Sequence, residues 1–230
     1  MAAWYPAMKL FMVRVSPLQA ASVEATTTSI AALVWVLFSK AAPAPRASDK
    51  RFWLVAFLNA AALALLYVSL HELTPVTVSL IGRSYVLVCA ILAVIFLQER
   101  LRAREWLLIV LSSCATVAFV RGNASGSTTA GLLAAAGYVF CFATANLLVK
   151  GAPESLSPGI ALLWSRGLAA VTLPILGTAF EGHHFLSVDI NAIAGVALAS
   201  FFTMFIGLAL YYRAMMLLPF ASRGRAGAGL

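Results

Sequence analysis

Long apolar runs, each closed by a short polar cluster, repeat along this chain from one end to the other. They cover residues 17–38, 52–70, 76–97, 106–120, 130–149, 158–180 and 192–216, and residues 6–15 form the tail of an eighth. A helix needs about 20 mostly apolar residues to cross a hydrocarbon core of about 30 Å. The runs reach or approach that length, and the clusters between them leave no room for a soluble domain. The pattern predicts an all-α integral membrane protein, multi-pass, with seven to eight transmembrane helices in a lipid bilayer.

Composition sharpens this reading. The chain is 62% hydrophobic and 10% charged, with a mean hydropathy of +0.95. Soluble domains carry about 25% charged residues. A formal net charge of +8 raises the question of nucleic acid, but the basic residues sit in short clusters between apolar runs. No basic face with interleaved aromatics exists, so nucleic acid is excluded as a partner. Cys89, Cys114 and Cys141 all fall inside apolar runs and read as small packing residues, neither a disulfide nor a metal cluster. Residues 1–15 carry Pro6 and lack a basic start followed by an apolar core, so no cleavable leader is expected.

The placement of the charges gives an orientation. If the residues 6–15 enter the membrane, alternate loops share a side. One side then holds Lys40, Arg46, Lys50, Arg51, Arg100, Arg102, Arg104, Lys150, Arg223 and Arg225, against Lys9, Arg14 and Arg121 on the other. Ten against three places the first group in the cytoplasm by the positive-inside rule. The C-terminus is then cytoplasmic, and the 71–72 turn and the 181–189 loop face outside. The expected location is the plasma membrane, which in a bacterium is the inner membrane.

The two halves of the chain echo one another. Lys9 and Lys150 precede Ser16-Pro17 and Ser157-Pro158 at an offset of 141, and Leu63-Ala64-Leu65-Leu66-Tyr67 matches Leu208-Ala209-Leu210-Tyr211-Tyr212 at an offset of 145. Five helices separate the starts of the two copies, and an odd number turns the second copy upside down in the membrane. Inverted repeats let a midplane cavity open alternately to either side as one half rocks against the other. The expected fold is therefore an inverted-repeat helical bundle of the 5+5 type. Residues 1–121 form a first repeat with an incomplete first helix, 122–129 an outer linker, 130–222 a second repeat without its last two helices, and 223–230 a polar cytoplasmic tail. By this internal symmetry the chain is expected to be an incomplete ten-helix protein.

One stretch carries a family resemblance. Ala64-Leu65-Leu66-Tyr67-Val68-Ser69-Leu70 leads through Leu73-Thr74-Pro75 into the run 76–97, which closes as Phe96-Leu97-Gln98-Glu99-Arg100-Leu101. This resembles the EamA module of the drug/metabolite transporter superfamily, in which a "Y-ALKY-(S/T)" segment leads to a Pro-containing helix ending in "L-G-E-R-L". Gln98 stands where the pattern has Gly, and His71-Glu72 where small polar residues are usual. Leu208 to Ala214 and Leu217-Leu218-Pro219 are similar to the "YYRALKYLP" pattern of the second module. The resemblance implies five plus five helices and the movement of small organic solutes such as amino acids, nucleotide sugars or drugs, without specifying one. It implies a secondary transporter. The alternative is a truncated, non-transporting membrane protein that packs against a partner or a second copy as a homodimer.

Ionisable groups within the runs mark the candidate path, because charge in hydrocarbon is costly and defaults to function. Glu24 is the one acidic residue inside a run, and an acid at that depth suits reversible protonation in a proton-coupled carrier. Arg83 and Arg166 lie some eight residues into their runs, and each must meet an anion, a carbonyl-rich cavity or Glu24. If both line one cavity, an anionic solute follows. If Glu24 pairs with one of them, the pair is structural, and the repeat favours Arg166, because the offset of 141 aligns Glu24 with Ser165, one residue away. Asn59, Tyr67, Asn146 and Trp164 are candidate cavity lining, though a single Asn or Tyr also serves as an interhelical hydrogen bond. Arg213, near the end of the last run, reads as a snorkelling anchor, and Glu99-Arg100 as helix-end electrostatics. His183 and His184 with Asp189 lack further ligands for a metal. No phosphate loop, Ser/His/Asp set or paired catalytic carboxylates occurs, so neither an enzyme nor a cofactor is expected.

Overall fold

Lipid offers no partner to a backbone N–H or C=O, so a spanning segment must bond within itself. The computed structural model describes residues 4–12, 14–38, 50–97, 128–150, 158–182, 185 and 189–217, with Arg104, Trp106, Leu107, Val110, Leu111, Cys114, Ala115 and Ala118 between them. These residues form α1 (Trp4–Phe11), α2 (Pro17–Phe38), α3 (Lys50–Glu72), α4 (Pro75–Arg83), α5 (Tyr85–Leu97), α6 (Thr129–Lys150), α7 (Pro158–Glu181), α8 (Ile190–Ser200), a π turn (Phe201–Phe205) and α9 (Ile206–Leu217). Among the described residues there is no strand, and six helical spans are long and apolar enough to cross a membrane. The protein is an all-α, multi-pass membrane bundle. The run at 106–120 lies largely outside the described residues, as do Glu99, Arg100, His183, His184 and the 223–230 tail.

Two of the expected helices are interrupted. The run 76–97 breaks at Ser84, whose Oγ and N–H both donate back to the Ile81 carbonyl at 2.6 and 3.0 Å and so tighten the turn between α4 and α5. The run 192–216 widens into the π turn between α8 and α9, still as one continuous path. Local chemistry fixes the helix ends. Thr74 caps α4 by accepting from the Thr77 N–H at 3.3 Å, with Pro75 in the first helical position. Gly182 ends α7 in the left-handed region at φ 54, where a side chain would be strained.

The packing follows the repeat. α2 and α7 run antiparallel: the Leu18 N–H donates to Glu181 at one end, and Gly159 backs onto Val36 at the other. α3 and α6 are also antiparallel, with Gly131 against Glu72 and Leu73 and Gly137 against Leu65. So are α1 and α8, where Arg14 meets Asp189 and Gly195 meets the Phe11 ring. Exchanging α1 with α6, α2 with α7 and α3 with α8–α9 maps the α3–α6 contact onto α8–α1. The same exchange maps α3–α7 onto α8–α2, and α2–α7 onto itself. Equivalent helices that pack antiparallel are what an inverted repeat requires.

Burial is inside-out relative to a soluble protein. Phe38, Phe57, Phe180 and Ile190 are largely exposed, while Glu24, Thr28, Ser69, Thr77 and Arg166 are buried. Many large apolar side chains lie on the outer surface, while the seams mix alanines with leucines, Met8 and Tyr67. The main core joins Met8, Ala20, Ala21, Tyr67, Leu70, Val78, Ala135, Leu173 and Val196. The many alanines let helix axes approach closely.

A buried charge centre between the repeats

Glu24 lies seven residues past Pro17, about 10 Å from the end of α2 at a rise of 1.5 Å per residue. Arg166 lies eight residues past Pro158, about 12 Å from the opposite end of the bundle. Because α2 and α7 are antiparallel, a long arginine side chain spans the difference. Arg166 Nη1 donates to Glu24 Oε1 at 3.3 Å, and Tyr67 Oη of α3 donates to Glu24 Oε2 at 2.8 Å. Met8 Sδ of α1 stands 3.7 Å from the same phenol oxygen. Glu24 and Tyr67 are wholly enclosed, and Arg166 nearly so. Helices α1, α2, α3 and α7 thus meet around one carboxylate.

Buried donors and acceptors in the bundle are not all used. Arg166 Nε, Thr28 Oγ1, Ser29 Oγ and Asn146 Nδ2 are buried and make no hydrogen bond in the structure. Buried polar atoms are rarely left alone, because each unmet group costs about 1–3 kcal/mol. Thr28 stands one turn from Glu24 on α2, on the same helical face. A polar solute or water at the centre would find an N–H of Arg166 and a hydroxyl of Thr28 open to it.

The other candidate residues are spread more widely. Asn59 is buried on α3, and its Nδ2 donates to Val55 of its own helix at 3.0 Å. Asn146 is buried on α6. Trp164 closes the seam between α3 and α7, edge-on to Trp53 with ring centres 5.3 Å apart and tilted against Phe52. Arg83 is exposed at the end of α4, beside the Ser84 break, and Arg166 is the arginine that pairs with Glu24. Ser22 and Thr26 to Thr28 flank Glu24 on α2. Buried Ser22 donates to the Leu18 carbonyl of its own helix, Thr26 is exposed, Thr27 is half-buried and Thr28 is enclosed. Ser29 and Met8 were not singled out, and neither carries a signal that sequence alone could raise.

A second polar cluster fastens one end of the bundle. Lys9 Nζ donates to the carbonyls of Leu70 and His71, both at 2.6 Å, and caps the C-terminus of α3. Ser16 Oγ donates to Glu181, Gln19 Nε2 donates to the Phe185 carbonyl at 3.0 Å, and Thr128 Oγ1 donates to Glu72 at 3.0 Å. Asp189 caps α8, accepting from the N–H groups of Asn191 and Ala192 at 3.1 and 3.3 Å, and pairs with Arg14 at 3.4 Å. The Ala192 N–H foremost, followed by Arg14 and Asn191, holds this exposed carboxyl below its ordinary value, against a smaller opposing effect of desolvation. No group of three or more metal-ligating side chains occurs among the described residues.

Comparison with curated proteins and with solved structures returns no match. Comparison with protein families does: residues 1–121, which contain Glu24 and Tyr67, match the EamA-like transporter family. That match covers more than half of the 230 residues, and with it the chain is a member of the EamA-like transporter family, within the drug/metabolite transporter superfamily.

Proposed function

We propose that this protein is a secondary transporter of small organic solutes that works by alternating access between its inverted repeats, residues 1–121 and 130–222. Residues 122–129 serve as the linker and 223–230 as the tail. The observation that carries this reading is the buried Glu24–Arg166–Tyr67 centre, placed mid-bundle where the two repeats meet. A structural bundle gains little from such a centre. Desolvating two charges costs several kcal/mol each, and apolar packing of equal volume is often as stable. Asn146 and Asn59 line the approach, Trp164 forms a wall of the α3–α7 seam, and Arg83 guards the exposed end of α4.

The pairing also bears on coupling. The charged side chains buried among the described residues are Glu24 and Arg166, and their charges cancel. An anionic solute can take Arg166 only if Glu24 gives it up, and protonation of Glu24 is the change that allows this. Arg166 and Tyr67 are the titratable groups that face Glu24 from the helices packed on α2. Anion movement is therefore coupled to a proton, whereas neutral or zwitterionic solutes need no such exchange. The membrane is the plasma membrane, with the C-terminus in the cytoplasm.

Solute flux into vesicles containing the purified protein tests this. Arg166→Gln and Arg83→Gln should each abolish saturable flux while leaving insertion intact, and Glu24→Gln should remove any pH dependence. Normal flux in both arginine variants would remove the site assignment. No saturable flux in the unaltered chain for any of a broad set of amino acids, nucleotide sugars and drugs would favour a protein that acts by packing alone.

A further inference from the structure

A concavity lies between α2 and the α8–α9 path. α2 and the α8–α9 path run parallel, in contact where α8 packs on the first turns of α2, and then diverge. Between them lies a groove of about 730 Å³, walled by Thr27 and Trp35 on one side and by Phe201, Phe205 and Leu210 on the other, with Arg213 at its mouth. The volume is that of a ligand site. The π turn shapes its wall by bringing residues four apart into line, so that the Phe201 and Phe205 rings stack with centres 5.5 Å apart. Trp35 meets Phe205 edge-on at 6.0 Å.

The dimensions and the chemistry point to one occupant. Phe201 and Arg213 are 12 residues apart along a helix, about 18 Å. One leaflet of a hydrocarbon core is about half of 30 Å. The groove therefore runs the depth of one leaflet, from mid-membrane at Thr27 to the surface at Arg213, and it is apolar along that length. Among the described lining residues one cation, Arg213, stands at the end where a headgroup would lie, and basic sites between transmembrane helices favour anionic headgroups. We propose that this groove holds an anionic phospholipid of the leaflet in which α9 ends, with an acyl chain against Trp35, Phe205 and Phe201 and the phosphate at Arg213.

Trp35 provides the reporter. In a variant with Trp4, Trp53, Trp106 and Trp164 replaced by Phe, brominated-acyl phosphatidylglycerol and brominated-acyl phosphatidylcholine are compared as quenchers at equal mole fraction in phosphatidylcholine vesicles. Phosphatidylglycerol should occupy the groove with roughly five-fold preference, the size of one cation's attraction for anionic lipid, and Arg213→Gln should abolish the preference. Equal quenching by the two lipids, or a preference that survives Arg213→Gln, overturns the proposal. Absence of quenching by either lipid also overturns it, because protein, such as a second copy, then covers the groove. The unaltered chain gives an independent measure in case the four replacements disturb folding. Native mass spectrometry from detergent should count one retained phosphatidylglycerol, lost in Arg213→Gln and kept in Arg14→Gln at the opposite end of the bundle. Equal retention in both variants sinks the idea.

Discussion

Glu24 and Arg166 are 142 residues apart in the chain and share one hydrogen bond in the enclosed middle of the bundle. Removing one partner leaves the other charge buried and unmatched, at a cost of about 3–5 kcal/mol. Glu24→Gln should therefore lower the unfolding free energy of the purified protein by about that amount, measured by thermal or denaturant unfolding in detergent. The double variant Glu24→Gln with Arg166→Met should recover most of the loss, since no charge then remains. A double variant as unstable as the sum of its parts would mean that the two charges do not interact. Tyr67→Phe removes one donor from a buried carboxylate and should cost about 1–3 kcal/mol. Both charges were legible in the sequence, because an ionisable residue in an apolar run stands out. The repeat register pointed to Arg166 as the partner of Glu24, although depth alone did not separate it from Arg83. The Ser84 turn decides it by ending α4 at Arg83 and leaving that side chain exposed.

Hydropathy located the helices well and their interruptions poorly, and the reason is physical. An α-helix, a π turn and a tightened turn at Ser84 all satisfy the backbone in lipid, so an apolar run of the right length fits each equally. The glycine contacts were more accessible to sequence, since small residues mark close helix approach. A Cβ on Gly131 would stand 2.8 Å from Glu72 Cβ and from Leu73 Cγ. Gly131→Ala should push α6 from α3 and destabilise by about 1–3 kcal/mol. Gly167→Ala serves as the control, because a Cβ there meets nothing within 4 Å. Equal effects of the two substitutions would show that helix propensity, not contact, is being measured. The cap at Asp189 adds a pH dependence with a definite sign. A carboxyl held below its ordinary value stabilises fully above the unfolded value, near 3.9, and its contribution is lost as pH falls through the lower folded value. The stability advantage of the unaltered chain over Asp189→Ala should therefore be constant at neutral pH and shrink only in strong acid. An advantage that fades at pH 6 would implicate another group.

At the scale of the molecule, the charge count and the inversion of the repeat both assume that alternate loops share a side, and the structure brings the loops assigned to one side together. Lys9 with His71, Ser16 with Glu181, Arg14 with Asp189 and Thr128 with Glu72 all meet at one end of the bundle. The alternation thus stands on contacts between segments far apart in sequence. Which end faces the cytoplasm depends on lysine and arginine placement, most of it outside the described residues, and this calls for a labelling experiment. In a variant with Cys89, Cys114 and Cys141 replaced by Ala, single cysteines are introduced at Thr128, at Ala47 and at Gly224. Thr128 is the better outer probe than Gly182, because Gly182 holds a left-handed conformation that a side chain would strain. A membrane-impermeant maleimide added to intact cells should label Thr128→Cys and leave Ala47→Cys and Gly224→Cys unlabelled until the membrane is opened. Labelling at Ala47 and Gly224 but not at Thr128 would reverse the orientation while keeping the alternation. Labelling at Thr128 and Gly224 together would break the alternation itself, and with it the inversion of the second repeat on which alternating access depends.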